Sequence, residues 1–409
     1  MAVIVQKYGG TSVGSLSRIE AVAENIIATV RQGHQVVVVL SAMSGETNRL
    51  LGLAQQLDSE PATRELDMLL SSGEQVSISL LSIALIQRGI SAISLLAHQI
   101  GIKTNNRFGN ARIEHIETER LHQALAQEQV IVVAGFQGQD RDNNITTLGR
   151  GGSDTSAVAL AVALGASECQ IFTDVDGVYT ADPRLVNNVT KIPAISFDEM
   201  LVMASLGAKV LQDRAVEYAF RHEMPIRVLS SLVKGTGTQV MTKQTLLAEH
   251  QRNKPVTAVC HQQQEALVTI DDIDHQTIAQ VFKTLEEEGV TTNLTTLCDN
   301  QEKLNRLAFT IPRNTLSCTK SALERITKCN KFGTIHVLDS VATISVVGVG
   351  IKSHANVIGD TLSVLASDHI EIKLISTSEI SLSVVIDESK LIQAVRMLHS
   401  EFGLDLSAK

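Results

Sequence analysis

Short apolar runs alternate with longer amphipathic stretches through the first 230 residues of the chain. Strand-like runs rich in β-branched residues lie at 3–5, 36–40, 130–136, 168–173 and 226–229. Apolar positions recur with the three-to-four-residue period of a helix at 16–32, 64–88 and 156–164. Strands that are apolar on both faces are typical of a parallel sheet covered by helices. We therefore predict an α/β domain whose ligands bind beyond the carboxyl ends of its strands.

The predicted elements become shorter in the C-terminal part of the chain. A charged, polar stretch near residues 243–255 separates the two parts and is interpreted as a linker. Beyond it the order β-α-β-β-α-β occurs twice, in units of about 70 residues, which is the ferredoxin-like α+β pattern. Two such repeats behind a larger domain indicate a regulatory appendage. The predicted boundaries are 1–245 for the large domain, 246–262 for the linker, and 263–340 and 341–409 for the repeats.

Composition narrows the classes of partner. The net charge is −9, no long basic run is present, and aromatic residues are scarce, with no Trp and three Tyr. These features argue against nucleic acid as a partner. The five cysteines contain no C-x-x-C pair, which favours a reducing compartment over a zinc site or a disulfide framework. Since no signal-peptide pattern and no apolar run of roughly 18–20 residues is found, we expect a cytoplasmic protein without membrane contact.

The sequence TLGRGGSDT, at residues 147–155, joins a strand-like run to a helical run. Unpaired backbone N–H groups and the positive end of the helix dipole make such a junction a site for anions. Arg150 is able to clamp a carboxylate or phosphate through two parallel hydrogen bonds. Asp154 either caps the helix or takes part in chemistry. The loop is therefore predicted to bind an anionic substrate next to a nucleotide phosphate.

A lysine and a glycine pair follow the first strand, in the sequence KYGGTS at residues 7–12. Lys7 is the best candidate to stabilise a transferring phosphoryl group, although an exposed lysine at a strand end is the ordinary alternative. Gly9 and Gly10 would allow backbone N–H groups to approach phosphate oxygens, although a tight turn also explains them. The motif is not a Walker A loop, which requires G-x-x-x-x-G-K.

These motifs, together with the sequence TDVDGVYTADPR at 173–184 and ISTSEI at 375–380, resemble those of the aspartate kinases. The resemblance covers nearly the whole chain and is greatest for the monofunctional members of the family. It implies a three-layer α/β/α amino-acid-kinase catalytic domain followed by two ferredoxin-like ACT domains. It also implies the reaction of ATP with L-aspartate to give 4-phospho-L-aspartate and ADP, which opens the biosynthesis of lysine, threonine and methionine.

The resemblance assigns roles in aspartate binding and catalysis. Arg150 would bind the α-carboxylate of aspartate, and Glu74 would pair with its α-amino group. From the residues alone, Glu74 is an ordinary helix carboxylate. Asp154 is expected to orient Lys7 and not to act as a base, because a substrate carboxylate is already nucleophilic. The remaining predicted substrate contacts are Ser41, Thr47, Gly151, Gly152 and Ser153. Asn48 stands where the family usually has Asp after the threonine.

The resemblance also assigns a nucleotide side. Taken alone, the stretch 173–184 is only a turn, since Asp-Gly and Asp-Pro pairs are common turn formers. We expect Mg²⁺ to be held mainly by ATP and water, and we assign no protein side chain to the metal. The predicted ATP-binding residues are Lys7, Tyr8, Gly9, Gly10, Thr173, Asp174, Tyr179, Asp182, Arg184 and Lys209.

The paired ACT domains imply an oligomer and an amino-acid effector. Relatives often have Pro-Gly before the ACT helices and Gln-Asn near the first repeat's second strand. This chain has His275-Gln276, Ala355-Asn356 and Leu297-Cys298 at those places. The retained candidates for binding lysine or threonine are Lys352, Ser353, His354, Ser376, Thr377, Ser378 and Glu379. The alternative is that the repeats are purely structural. We expect a homo-oligomer through the ACT domains, and an internal start at Met241 would produce a separate regulatory subunit.

Two other functions stay open from the sequence. The first is another amino-acid kinase, acting on glutamate, acetylglutamate or a nucleotide, which the paired ACT repeats and the complete KYGGTS motif disfavour. The second is a non-catalytic amino-acid sensor, which the presence of Lys7, Arg150 and Asp154 disfavours.

Overall fold

The computed structural model describes residues 2–208, 210–249, 255–300, 304–329 and 333–405. It divides by internal packing into two compact units. The first comprises residues 1–178, 191–204 and 209–252, and the second comprises residues 179–190, 205–208 and 253–409.

Fourteen strands and nine α-helices are described up to residue 249. The strands are β1 Val3–Tyr8, β2 Gln35–Leu40, β3 Ala92–Leu95, β4 Ile102–Thr104, β5 Ile113–Ile116, β6 Val130–Ala134, β7 Gln137–Gln139, β8 Ile145–Thr147, β9 Glu168–Thr173, β10 Val178–Tyr179, β11 Lys191–Ile192, β12 Ala194–Ser196, β13 Ile226–Ser230 and β14 Thr238–Met241. The helices are α1 Leu16–Arg31, α2 Glu46–Leu57, α3 Thr63–Leu70, α4 Ser72–Gln87, α5 Glu119–Ala126, α6 Gly152–Ala163, α7 Phe197–Ser205, α8 Asp213–Arg221 and α9 Lys243–Glu249.

The main sheet of the first unit has the order β12-β14-β13-β9-β1-β2-β6-β3. Its central strands β13, β9, β1, β2, β6 and β3 pair in parallel, and β14 runs antiparallel to β13. Buried residues such as Tyr8, Val38 and Val132 form a core with α1 and α4 on one face. Helix α6 packs against β1, β2 and β9. The predicted α/β domain is confirmed, and its loops at the carboxyl ends of parallel strands meet at one edge of the sheet.

A second, four-stranded sheet in the first unit was not predicted. Its order is β5-β4-β7-β8, with β8 ending at Thr147, where the TLGRGGSDT loop begins. Its strands have only three or four residues each, too short for an apolar pattern to indicate them.

The helical stretch 63–87, which contains α3 and α4, is long and apolar enough to cross a membrane by length and composition. Half of its most apolar window is buried within the protein. It also contains the buried carboxylates Asp67 and Glu74. These features are typical of a core helix of a globular domain.

The second unit contains one six-stranded antiparallel sheet of order β16-β17-β15-β18-β20-β19. Its strands are β15 Ala258–Ile273, β16 Thr295–Asn300, β17 Leu304–Pro312, β18 Ile335–Val347, β19 Ile372–Thr377 and β20 Ser381–Asp387. Its α-helices are α10 His275–Glu287, α11 Leu316–Cys329, α12 Ala355–Ser367 and α13 Leu391–Glu401.

The two repeats of this unit are interleaved through the long strands β15 and β18. The later part of β15 pairs with β17 and with the start of β18, which completes the first repeat. The second repeat ends in α13, and residues 258–262 of β15 pair with 343–347 of β18 as its fourth strand. The strand that closes the second repeat therefore precedes the first repeat in the chain. The predicted linker 246–262 begins inside α9 and ends inside β15. Its last five residues, 258–262, form part of the sheet because they pair with β18. Residues 250–254 lie outside the described residues.

Residues 179–190 lie within the kinase-like part of the sequence but pack as part of the second unit. Ala181 and Val186 are buried in the hydrophobic cluster that contains Leu398. The backbone N–H of Val259 donates to the carbonyl of Thr180 at 2.8 Å. Each of the two units is therefore built from several separate segments of the chain. The four predicted domain boundaries stay a prediction.

Candidate active site

The catalytic candidates Lys7 and Asp154 form an ion pair. Lys7 Nζ lies 2.6 Å from Asp154 Oδ1, and the two side chains are only 12% and 9% exposed. Asp154 is in the first turn of α6, where a negative charge also interacts favourably with the helix dipole. The pair joins the end of β1 to the start of α6 and holds a positive charge at the sheet edge.

Side-chain alternation along β1 explains why Lys7 is available for chemistry and Tyr8 is not. Successive side chains of a strand point to opposite faces of the sheet. Tyr8 is fully buried in the core beneath α1 and α4, and its ring stacks on Phe172 with centroids 4.5 Å apart. Burial raises the pKa of the Tyr8 phenol. Its side chain therefore has no access to a nucleotide, and a contact from this position has to come from the backbone.

The glycines of the loop 147–155 are required by its conformation and packing. Gly149 and Gly151 have φ angles of +75° and +68°, which favour glycine. A Cβ at Gly152 would lie 2.9 Å from the side chains of Leu148 and Phe136. Gly151 immediately precedes α6 as its N-cap residue. The predicted close-approach backbone is thus present at the N-terminus of a 12-residue helix.

Arg150 lies between these two glycines and is exposed. No ion pair or side-chain hydrogen bond of Arg150 is found within the described part of the chain. Ser153, three residues further on, is buried beside Gly135, whose Cβ position would be 2.9 Å from Ser153 Cβ. Within the described residues, the guanidinium of Arg150 is therefore exposed and unpaired, and the loop that carries it is closely packed.

Glu74 is the buried carboxylate of the site. Its side chain is 3% exposed, and Oε1 accepts a hydrogen bond from the backbone N–H of Ala42 at 3.0 Å. Oε2 is buried and has no hydrogen-bond partner within the described residues. Removal from water raises the pKa of Glu74 from 4.5 to about 7. An unpaired buried carboxylate oxygen is a suitable partner for an ammonium group.

The loop after β2 connects Glu74 to the end of β1. The backbone N–H of Ser41 donates to the carbonyl of Tyr8 at 3.1 Å, and Ser77 Oγ donates to the carbonyl of Ser41 at 2.8 Å. A Cβ at Gly10 would lie 2.9 Å from the carbonyl oxygen of Ala42, so only glycine fits there without a shift. Thr47 is half-buried in the first turn of α2. The glycine pair and Ser41 are therefore packed into one edge of the sheet.

On the nucleotide side, Thr173 ends β9 and Asp174 follows it at the same sheet edge. Thr173 Oγ1 donates to Asp174 Oδ1 at 3.0 Å. The sequence analysis missed their neighbour Ser231, whose backbone N–H donates to the carbonyl of Thr173 at 2.8 Å. Ser231 Oγ also accepts hydrogen bonds from Ser12 Oγ at 2.8 Å and from Arg18 Nη2 at 2.9 Å. The signal for Ser231 was the Ser-Ser pair at 230–231, which follows the predicted strand 226–229.

Three other predicted nucleotide residues lie in the segment that packs as part of the second unit. Tyr179 is half-buried. Arg184 Nη2 forms an ion pair with Asp182 Oδ2 at 2.7 Å, and its guanidinium is 82% exposed. Thr180 directly follows Tyr179, and its Oγ1 lies 2.9 Å from His399 Nε2. The last predicted nucleotide residue, Lys209, lies outside the described residues.

The predicted effector residues come from two loops of the second unit that the fold brings together. Lys352 Nζ lies 3.5 Å from Glu379 Oε1, and both side chains are exposed. His354 Nδ1 lies 2.8 Å from the carbonyl oxygen of Gly350. Ser378 closes the second loop by hydrogen bonds to Ser381. The neighbouring positions Ser353, Ser376 and Thr377 lie on the same two chain segments.

No metal centre built from protein side chains is found in the part of the chain that the structure describes. There, no group of three or more His, Cys, Asp or Glu side chains is placed to hold a metal ion. The carboxylate nearest to the lysine of the site, Asp154, is already paired with it.

Two family models and several known proteins match this chain. Residues 2–230 match the model of the amino acid kinase family, and residues 344–402 match an ACT domain. The aspartokinase of Pseudomonas aeruginosa is 46% identical over 417 residues, covering 100% of this chain and 99% of that protein. The crystal structure of E. coli aspartokinase III with aspartate and ADP has a TM-score of 0.80 at 26% identity, covering 98% of this chain and 99% of the other. The same enzyme with lysine and aspartate has a TM-score of 0.77 at 26% identity and the same coverage.

Proposed function

This chain belongs to the aspartate kinase family, and on that premise we propose that it transfers the γ-phosphoryl group of ATP to the β-carboxylate of L-aspartate. The products are 4-phospho-L-aspartate and ADP, the first step towards lysine, threonine and methionine. The observation that supports this function most directly is the 2.6 Å ion pair of Lys7 and Asp154 at the start of α6. It places a fixed cation beside a glycine-rich anion loop, where a phosphoryl group and a carboxylate would meet.

Arg150 and Glu74 recognise the two charged ends of the amino acid. The free guanidinium of Arg150 binds the α-carboxylate through paired, charge-assisted hydrogen bonds. The unpaired Oε2 of Glu74 accepts a hydrogen bond from the α-ammonium group. Ser41, Thr47, Ser153 and the backbone of the glycine loop complete the polar wall. With both ends held, the β-carboxylate is directed towards Lys7.

The chemical step needs no general base. A β-carboxylate oxygen forms a bond to the γ-phosphorus while the bond from that phosphorus to the bridging oxygen of ADP breaks, and ADP leaves with the electron pair. Lys7 Nζ neutralises charge on the transferring oxygens, and Asp154 keeps the ammonium group in place. The backbone N–H of Gly10 and the N-terminus of α6 add positive potential, while the backbone N–H of Gly9 donates to the carbonyl of Phe172 at 3.4 Å. Thr173 and Asp174 line the nucleotide side.

Magnesium is expected to enter with ATP. When bound, Mg²⁺ would neutralise negative charge on the phosphate groups of ATP. Tyr8, through its backbone, and Tyr179, Asp182, Arg184 and Lys209 stay predicted nucleotide contacts.

A hydroxamate assay with ATP and a panel of acceptors tests the activity. We expect acyl phosphate formation with L-aspartate and none with L-glutamate or N-acetylglutamate. Formation with another acceptor instead would favour a different amino-acid kinase, and no formation with any acceptor would favour a non-catalytic sensor.

The variant Arg150→Ala tests the substrate assignment. Loss of a charge-assisted bidentate contact should raise the KM for aspartate by at least about tenfold and leave the KM for ATP within about twofold. Arg141→Ala is the matched control, since Arg141 is an exposed arginine on the β7–β8 turn. An aspartate KM equal to that of the control would remove Arg150 from this role.

We further propose that lysine or threonine inhibits the enzyme at the loops joined by Lys352 and Glu379. The 3.5 Å contact between the two retained stretches supports a shared effector site. Isothermal titration with lysine and threonine, singly and together, tests it, and the absence of both heat and inhibition would contradict it.

The ACT domains are proposed to assemble the chain into a homo-oligomer in the cytoplasm. A shorter regulatory chain starting at Met241 would lack residues 179–190, which fill part of the hydrophobic cluster of the second unit. An immunoblot against the C-terminus that detects only full-length protein would exclude such a subunit.

A further inference from the structure

Asp67 is a buried carboxylate that the sequence analysis did not select. It lies in the middle of α3 with 1% of its surface exposed. Desolvation by burial raises the pKa of this side chain. Keeping such a group in the interior is unfavourable unless its oxygens are well hydrogen-bonded, so its partners indicate what it does.

Within the described residues, the Asp67 carboxylate accepts hydrogen bonds from Thr147 and Gly109, and neither of these residues lies in its own helix. The backbone N–H of Thr147 donates to Oδ2 at 2.7 Å, and the Thr147 hydroxyl donates to Oδ1 at 2.7 Å. The backbone N–H of Gly109 donates to both oxygens, at 3.0 and 2.9 Å. Both carboxylate oxygens are therefore occupied by donors from outside α3.

These two loops support the base of the segment that carries Arg150. Thr147 is the last residue of β8, three positions before Arg150. The carbonyl of Thr147 accepts a hydrogen bond from the backbone N–H of Ala111 at 2.9 Å, which joins the two loops. The carbonyl oxygen of Gly109 lies 3.0 Å from the position of a Cβ on Gly149, so the second loop packs directly against the residue before Arg150.

From this arrangement we propose that Asp67 is a positioning residue, which holds the base of the Arg150 loop and thereby sets the affinity for aspartate. The carboxylate satisfies three donor groups at the end of β8, the edge strand of its sheet. Without it the donors of Thr147 and Gly109 lose their acceptors, and the loop loses the support that fixes Arg150. The inference rests on the assignment of Arg150 to the aspartate carboxylate.

The variant Asp67→Ala removes the acceptors, and Asp67→Asn restores most of them, since the Thr147 hydroxyl is able to rotate and accept from the amide. The matched control is Asp140→Ala. Asp140 is buried as well, with 2% of its surface exposed, and accepts hydrogen bonds from the backbone of Asp142 and Asn144, but it stabilises the β7–β8 turn at the opposite end of β8.

For Asp67→Ala we expect the KM for aspartate to rise at least about tenfold, the KM for ATP to stay within about twofold, and amide hydrogen exchange at residues 147–154 to accelerate. Asp67→Asn should recover the aspartate KM to within about threefold of wild type. The control should change neither the aspartate KM nor exchange in this loop. If Asp67→Ala does not fold, Thr147→Val should show the same selective rise in the aspartate KM to a smaller extent.

Exchange at 147–154 that is unchanged, or that accelerates equally in the Asp140 control, would overturn the positioning role. Accelerated exchange with an unchanged aspartate KM would show that the loop does not govern aspartate binding. That outcome would overturn the functional half of the inference, and Arg150→Ala decides separately whether Arg150 binds aspartate. If Arg150→Ala fails while the Asp67 effects are present, the route from Asp67 through Arg150 to aspartate affinity is overturned, and only the support of residues 147–154 by Asp67 stands.

Discussion

Two lysine–carboxylate pairs, one in each unit, show how burial changes the role of the same chemistry. Lys7 and Asp154 are 2.6 Å apart and nearly enclosed, with 12% and 9% of their side chains exposed. Lys352 and Glu379 are 3.5 Å apart, with 66% and 71% exposed. Water and salt screen the exposed pair, whereas the low-dielectric surroundings of the buried pair preserve its field.

The difference indicates two kinds of site. The buried pair is preorganised, because its ammonium group is held in one place before a substrate arrives. The exposed pair contributes little to stability and is easily opened by a charged ligand, which would replace one partner by its own carboxylate or ammonium group. Rigidity suits the catalytic role proposed for Lys7, and weak pairing suits the reversible effector binding proposed near Lys352.

Replacing the buried lysine should have the largest effect. Lys7→Ala removes the cation at the transferring phosphoryl group, and we expect kcat to fall at least about tenfold, equivalent to roughly 1.4 kcal/mol in the barrier. It also leaves Asp154 buried without its partner, so the melting temperature should fall. The hydroxamate assay under saturating substrates measures the first effect and thermal denaturation the second. Turnover like that of the wild type would remove Lys7 from catalysis and end the contrast between the two pairs.

Glu74 extends the comparison to a buried carboxylate without a cation. Its pKa of about 7 means that the free enzyme ionises it only near neutrality. The KM for aspartate should therefore fall several-fold as the pH rises from about 6 to about 8, and Glu74→Gln should abolish this dependence. Steady-state kinetics across this range provide the measurement, and an identical pH profile in both proteins would contradict the role of Glu74.

The same shift has a consequence for stability with a definite sign. Between pH 4.5 and about 7 the folded chain retains a proton on Glu74 that the unfolded chain releases. The contribution of this group to the free energy of unfolding is therefore lost as the pH rises through that window. In Glu74→Gln the free energy of unfolding should not show this fall. Denaturant unfolding of both proteins at pH 4.5 and at about pH 7 provides the comparison.

Replacing the exposed lysine should have the smallest effect on the uninhibited enzyme. Lys352→Ala is expected to leave kcat, both KM values and the melting temperature close to those of the wild type, since the pair it breaks is solvated. Inhibition by lysine or threonine should weaken about fivefold or more. Lys390→Ala, at another exposed lysine of the second unit, is the control. Equal inhibition in wild type, variant and control would place the effector elsewhere.

The local pattern of apolar and polar residues was sufficient to predict the main strands and helices of the first unit. The buried strands around Val38 and Val132 and the glycine loop before α6 follow from periodicity and turn chemistry. Alternation along β1 also indicates that Lys7 and Tyr8 face opposite sides of the sheet, although only the structure shows that Tyr8 is on the enclosed side. The short strands of the second sheet escaped prediction because three residues carry no period.

The sequence by itself determined the order of strands and helices, the position of charged and glycine residues at strand ends, and the family motifs. The tertiary structure decided the environment of each group: the raised pKa of Glu74, the saturated oxygens of Asp67, and the packing of residues 179–190 in the second unit. It also decided that residues 258–262 close the last repeat. The reason is physical, since periodicity is a property of neighbours along the chain, whereas desolvation and hydrogen bonding depend on residues that meet only after folding.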